Sequence, residues 1–181
     1  MNQHLKLEPV DGYNGSAFVP TGNPMIDGVG PSSWAARADV PDLTAHGKPK
    51  IVPMRVATDF SIAKGDPDPR GLPVRACDGV VAGTITELWV DRSEPQVRYY
   101  EVTLSDGGRV VMLPVTFVAW PNLGLFGLDH VRVKAITAAQ FASVPATKSA
   151  SEITLLEEDK ICAYYGGGHL YATPDRSQPL L

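Results

Sequence analysis

Thr84-Ile85-Thr86-Glu87-Leu88-Trp89-Val90-Asp91, followed by Arg98-Tyr99-Tyr100-Glu101-Val102-Thr103-Leu104, decides the fold. The first segment is rich in β-branched residues and carries Trp89, as strands do. The second alternates cleanly, with Tyr100, Val102 and Leu104 on one face and Tyr99, Glu101 and Thr103 on the other. A period of two means a half-buried strand. Ser105-Asp106-Gly107-Gly108 is a hairpin turn signal, and Arg109 to Leu113 returns along the sheet. Pro114 bends the chain into Val115 to Trp120. After a loop from Pro121 to Gly127, Val131, Val133 and Ala135 point one way while His130, Arg132 and Lys134 point the other. Upstream, Leu72 to Ala76 leads into an Asp78-Gly79 turn. Short strands at this spacing predict a mainly β domain over 72–136, a small antiparallel barrel or strongly curved sheet.

The chain on either side reads differently. Ten of the 16 prolines fall by Pro73, and residues 1–71 are punctuated by Asp11-Gly12, Asn14-Gly15, Thr21-Gly22-Asn23-Pro24 and Asp66-Pro67-Asp68-Pro69. Such dipeptides fix turns rather than helices or strands. Val10, Tyr13, Phe18, Met25, Ile26 and Trp34 are too apolar for a solvated linker, so the segment reads as an extended strap laid against something else. Ile51 to Val56 is a candidate edge strand, since Pro53 would break a central ladder. Residues 137–181 form a helical segment and tail. Thr137 to Ala142 is a short helix ending before Pro145. A second helix starts at Thr154, which forms a capping box with Glu157, and Gly166-Gly167-Gly168 is expected to stop it. Tyr164 and Tyr165 are adjacent and face different sides, so at least one is expected at the surface.

With 181 residues, 44% of them apolar and 20% charged, the chain is an ordinary globular one. It is long enough to bury about 70% of its unfolded surface without staples. A net charge of −4 argues against nucleic-acid binding, which needs a surplus of Lys and Arg. Cys77 and Cys162 lie far apart with no metal-ligand spacing, which fits a reducing compartment. The longest apolar run, Ile161 to Tyr165, is far short of the roughly 20 residues that cross a bilayer. No nucleophile elbow, phosphate loop or zinc motif occurs. His4, His46, His130 and His169 are scattered singly and read as surface residues.

One constellation carries chemistry. Asp91-Arg92-Ser93-Glu94 closes the Trp89 strand and Arg98 opens the next, so a hairpin connection would gather Asp91, Glu94 and Arg98 within a few ångströms. Two carboxylates that close share protons. Left in water, the same residues are an acidic turn whose ion pairs are worth little. Only a partner that buries the loop changes its character. Glu157-Glu158-Asp159 is accounted for by a charged first helical turn, which the helix dipole favours.

Several strings extend this reading. Pro20-Thr21-Gly22-Asn23-Pro24-Met25, Asp27-Gly28-Val29-Gly30-Pro31-Ser32-Ser33-Trp34 and Lys50-Ile51-Val52-Pro53-Met54 resemble the strap region of the H subunit of purple-bacterial photosynthetic reaction centres. Gly71-Leu72-Pro73-Val74, the stretch from Ala82 to Asp91, and Ile153 to Cys162 resemble the same family. The likeness runs from about residue 5 to the end. The strand-rich centre resembles the PRC-barrel, also found in ribosome-maturation proteins.

The resemblance implies a non-enzymatic cap on the cytoplasmic face of the L and M subunits, at the photosynthetic inner membrane. Those partners hold the bacteriochlorophyll, bacteriopheophytin, quinone and iron, and this chain binds none of them. Family members begin with a transmembrane helix that anchors them to the membrane, and this chain looks like the soluble cytoplasmic part alone. The resemblance also implies a proton path to the secondary quinone, with Asp91 and Glu94 as its acidic pair, Arg98 as a nearby base and His46 at the surface where protons enter. Lys48 stands where some members have a second histidine, and Thr44 where some have an aspartate. Two competing readings are a free-standing PRC-barrel adaptor for a soluble protein partner, and a hydrolase using Asp91 and Glu94, which would need a concave pocket around them.

Overall fold

The computed structural model describes residues 6–121 and 129–177. His4 and the part of the expected loop from 122 to 127 lie outside the described residues. The strap opens with a hairpin of β1 (Leu7–Pro9) and β2 (Phe18–Pro20), set up by the Asp11-Gly12 and Asn14-Gly15 turns. A single turn of helix follows, α1 (Pro24–Asp27), because Asn23 caps it by accepting from the Met25 and Ile26 amides. The strap ends in the edge strand β3 (Ile51–Pro53).

The sheet then builds in order: β4 (Pro73–Arg75), β5 (Val81–Asp91), β6 (Gln96–Leu104), β7 (Val110–Pro114), β8 (Val118–Ala119) and β9 (Val131–Val133). Spatially the order is β7-β6-β5-β4-β9-β8, with β3 also on β5, giving seven strands. The long β5 shares one edge between two short partners: β4 covers Val81 to Thr84 and β3 covers Trp89 to Asp91. Bulges near Ile85/Glu87 and Trp89/Val90 add the curvature that wraps the sheet around its core. Ladders are antiparallel except β4 with β9, which is parallel. The expected strand from Val115 to Trp120 is only partly formed. Val115–Phe117 winds into a 3-10 turn, which lets Phe117 stack on Tyr165 at 5.5 Å and His169 at 5.9 Å.

The C-terminal helix corrects two expectations. α2 (Leu155–Tyr171) starts at the Thr154–Glu157 capping box as expected, but runs straight through Gly166, Gly167 and Gly168. The glycines serve contact rather than termination. A methyl at Gly167 would overlap Ser32 of the strap, and one at Gly168 would overlap the Ala135 carbonyl oxygen. Close approach on two sides outweighs the roughly 1 kcal/mol that each glycine costs a helix. Tyr164 and Tyr165 are both buried, because α2 is clasped by the sheet on one side and the strap on the other. Tyr164 Oη donates to the Gln140 carbonyl at 2.8 Å.

The strap is hydrogen-bonded along α2. Leu155 and Leu156, whose amides the helix cannot satisfy itself, donate to the Val40 and Ala38 carbonyls at 3.0 and 3.2 Å. Thr154 Oγ1 donates to Asp39 Oδ1 at 2.9 Å, and the Ala35 amide to Asp159 Oδ2 at 2.8 Å. Among the described residues, no helix is long and apolar enough to cross a membrane.

Candidate functional site

Asp91 ends β5 between two neighbours, opposite Ile51 of β3 and Gln96 of β6. That position seals it completely, at 0% exposure. Its Oδ1 accepts from the Ser93 and Glu94 amides at 2.8 and 3.1 Å, which folds the following turn. Its Oδ2 faces Lys50 Nζ at 3.7 Å and Arg98 Nε at 3.5 Å but has no hydrogen-bond partner among the described residues. Lys50 is delivered by the strap, since the Arg92 amide donates to the Lys50 carbonyl at 2.9 Å. It is also 3.6 Å from Asp42. A carboxylate in this position needs opposite charge nearby to offset lost hydration, and the two cations supply it.

The expected gathering of Asp91, Glu94 and Arg98 is met unevenly. Arg98 turns to Asp91. Glu94 is joined to Asp91 through its backbone amide, while its own carboxylate is exposed and accepts from Gln96 Nε2 at 3.1 Å. The two carboxyl groups therefore sit on one turn, one sealed and one open. With Asp91 sealed, the two carboxyl groups do not face a common open space among the described residues, as a hydrolytic pair would need to. His46 is exposed in a turn where the Thr44 amide donates to the Lys48 carbonyl at 2.8 Å. It lines an open groove with Asp59 and Arg92, so it reaches the outer side of the Asp91 turn without bonding to it.

Sequence reasoning missed two contributors. Lys50 was visible only as a charge beside an apolar edge strand. Glu158, attributed above to a charged first helical turn, also accepts from Tyr99 Oη at 2.9 Å across the interface of α2 and β6. Burial pushes its carboxyl above the ordinary range, partly offset by that hydrogen bond and by the Arg98 charge. Burial likewise pushes the neighbouring Tyr99 phenol and Cys162 thiol up. Arg98 thus acts electrostatically on carboxylates of two different elements.

Farther along β5 a second cluster forms. Glu87 Oε1 accepts from the Leu88 amide at 2.9 Å and Oε2 from the Arg55 amide at 3.3 Å. Glu101 lies directly opposite on β6, a like-charge pair that would repel. Arg55 Nη1 bridges them, 3.5 Å from Glu87 and 3.3 Å from Glu101. Trp89 Nε1 also donates to Glu101 at 3.1 Å, and Arg70 lies 3.7 Å from Glu87.

With this geometry in hand, comparison with known families is informative. Residues 61–137 match the PRC-barrel domain, which agrees with the curved seven-stranded sheet. This is a PRC-barrel protein. Residues 1–56, the strap that clasps α2 and supplies Lys50, match the photosynthetic reaction centre H-chain N-terminal region. Together the two matches place the chain in the H-subunit family of photosynthetic reaction centres. Members of that family are structural, membrane-associated subunits that join a reaction-centre core.

Proposed function

We propose that this chain caps the cytoplasmic face of the L and M subunits, stabilises that core, and conducts protons to the secondary quinone through the Asp91–Glu94 turn. The bacteriochlorophyll, bacteriopheophytin, quinone and iron belong to the partners. What supports the proton role is the state of Asp91: a carboxyl group removed from water, with one oxygen committed to the turn and the other, beside two cations, without a hydrogen bond among the described residues. A quinone reduced in a buried pocket has no bulk water beside it. Its protons must hop along titratable groups at hydrogen-bond or one-water spacing.

In this reading Glu94 collects a proton at the open side of the turn and Asp91 passes it inward, while Arg98 and Lys50 hold the local charge near balance. His46 and its groove supply the surface where protons arrive. The apolar residues that the strap leaves exposed, Phe18, Ile26, Val40 and Leu43 among them, suit a surface laid on partner subunits.

The test is Glu94→Gln in the intact complex. Proton-coupled transfer of the second electron to the quinone slows on the order of tenfold or more, while primary charge separation is unchanged. Second-electron kinetics equal to the wild type would overturn the proton role. Failure of the purified chain to restore quinone reduction to a core stripped of this subunit would count against the capping role.

A further inference from the structure

Lys50 stands between two acids that differ in their access to water. Its ammonium lies 3.7 Å from Asp91 Oδ2, in a carboxyl group that is fully sealed, and 3.6 Å from Asp42 Oδ2, in a side chain that is 48% exposed. Both separations are too long for a hydrogen bond. The two acids present themselves in the same way. Asp91 Oδ1 accepts from the Ser93 and Glu94 amides, Asp42 Oδ1 accepts from the Leu43 amide at 3.0 Å, and in each case Oδ2 is the oxygen nearest Lys50.

The backbones of all three residues are pinned. The Lys50 amide donates to the Asp42 carbonyl at 2.8 Å, the Arg92 amide donates to the Lys50 carbonyl, and Lys50 leads directly into β3, which pairs with β5 up to Asp91. What can move is the lysine side chain, a compact charge on a flexible four-carbon stem. A displacement of about 1 Å toward either Oδ2 would close a charge-assisted hydrogen bond on that side and open the other. The other charges about Asp91 are Arg98 from β6 at 3.5 Å, with Arg92 and Glu94 in its own turn. Asp42 and Arg98 also act on Glu158 of α2.

We propose that Lys50 is a proton-driven charge gate: it pairs with Asp91 while that carboxyl is ionised and crosses to Asp42 when Asp91 takes up a proton. A carboxyl that gains a proton loses its hold on a neighbouring ammonium, and Asp42 offers the second seat. Uptake is then accompanied by departure of the cation that opposes it, and release by its return. Lys50 and Asp42 act as positioning residues, with the proton itself carried by Asp91. The use of the gate rests on the proton-transfer reading; its geometry does not.

Crystal structures of the full chain, wild type and Asp91→Asn, test the swing without reference to electron transfer. The amide stands in for the protonated acid, and Lys50 Nζ leaves residue 91 and closes to hydrogen-bond distance of the Asp42 carboxylate. An ammonium unmoved between the two would overturn the proposal. In assembled reaction centres, the pH at which delivery of the second electron begins to fall moves in opposite directions in two variants. Asp42→Asn leaves the ammonium wholly to Asp91, which disfavours proton uptake, so the fall moves to lower pH and the rate at neutral pH is about threefold below wild type. Lys50→Met removes the cation and moves the fall to higher pH. Shifts in the same direction, as a general loosening of the strap would give, or no shift in either variant, would also overturn it. If Glu94→Gln leaves second-electron kinetics at the wild-type value, the proton-transfer reading fails by itself, and the two crystal structures still decide whether Lys50 moves.

Discussion

Glu87 and Asp91 lie on the same strand and the same sheet, and the structure treats them in opposite ways. Glu87 has both oxygens committed to backbone amides and two arginines beside it, one of which also neutralises Glu101 across the ladder. It is a clamp that ties the strap to the sheet. Asp91 is more deeply buried, but among the described residues only Oδ1 is committed, and Oδ2 faces cations without a hydrogen bond. Native proteins rarely leave such an atom unmatched without a use for it. The contrast separates a carboxylate whose oxygens are both committed to the fold from one with an uncommitted oxygen, the feature on which the proposed proton role rests.

The comparison can be broken most forcefully at Asp91. Asp91→Ala removes the acceptor of two turn amides and the counter-charge of Lys50 and Arg98, and lowers stability by about 2–4 kcal/mol, measured by urea unfolding. Asp91→Asn costs less, because an amide oxygen still accepts from Ser93 and Glu94. A cost for Asp91→Ala no larger than that of an ordinary surface substitution would mean the turn does not depend on it.

At the other end of the strand the effect is smaller. Arg55 is 43% exposed, so solvent screens its pairs, and Arg55→Met lowers stability by about 1 kcal/mol through the unrelieved opposition of Glu87 and Glu101. Adding Glu87→Gln to that variant restores part of the loss, since the repulsion disappears with the charge. A double-mutant cycle showing simple additivity would refute the clamp.

The smallest effect concerns Glu158. Burial raises its carboxyl above the ordinary value of 4.5, so the folded chain keeps a proton that the unfolded chain has released. Its contribution is full below that value and is lost as pH rises through the folded one. Glu158→Gln keeps an acceptor for Tyr99 Oη without the charge. The stability of this variant relative to wild type therefore rises from about pH 4.5 upward and then levels. A difference flat across pH would show that Glu158 is effectively solvated.

Strands were the most legible feature. The alternation through Tyr100, Val102 and Leu104 fixes which side of β6 is buried, and local turn chemistry does the rest. The end of α2 was not legible. Glycine propensity predicts a stop at Gly166, whereas the deciding interactions involve Ser32 and Ala135, far away in the chain. The same limit applies to the candidate site. Asp91, Glu94 and Arg98 sit on one hairpin, so their proximity follows from local pairing. Lys50 comes from the strap through a backbone bond to Arg92, and Tyr99 meets Glu158 across a helix–sheet contact, neither of which has a local signature.

Two isosteric substitutions in assembled reaction centres, Asp91→Asn and Glu87→Gln, compared by flash-induced delivery of the second electron to the quinone, put the difference between these acids to the most direct trial. Slowed delivery in the first with wild-type kinetics in the second is the predicted outcome. Equal rates in the two variants, whether both slow or both normal, would contradict it.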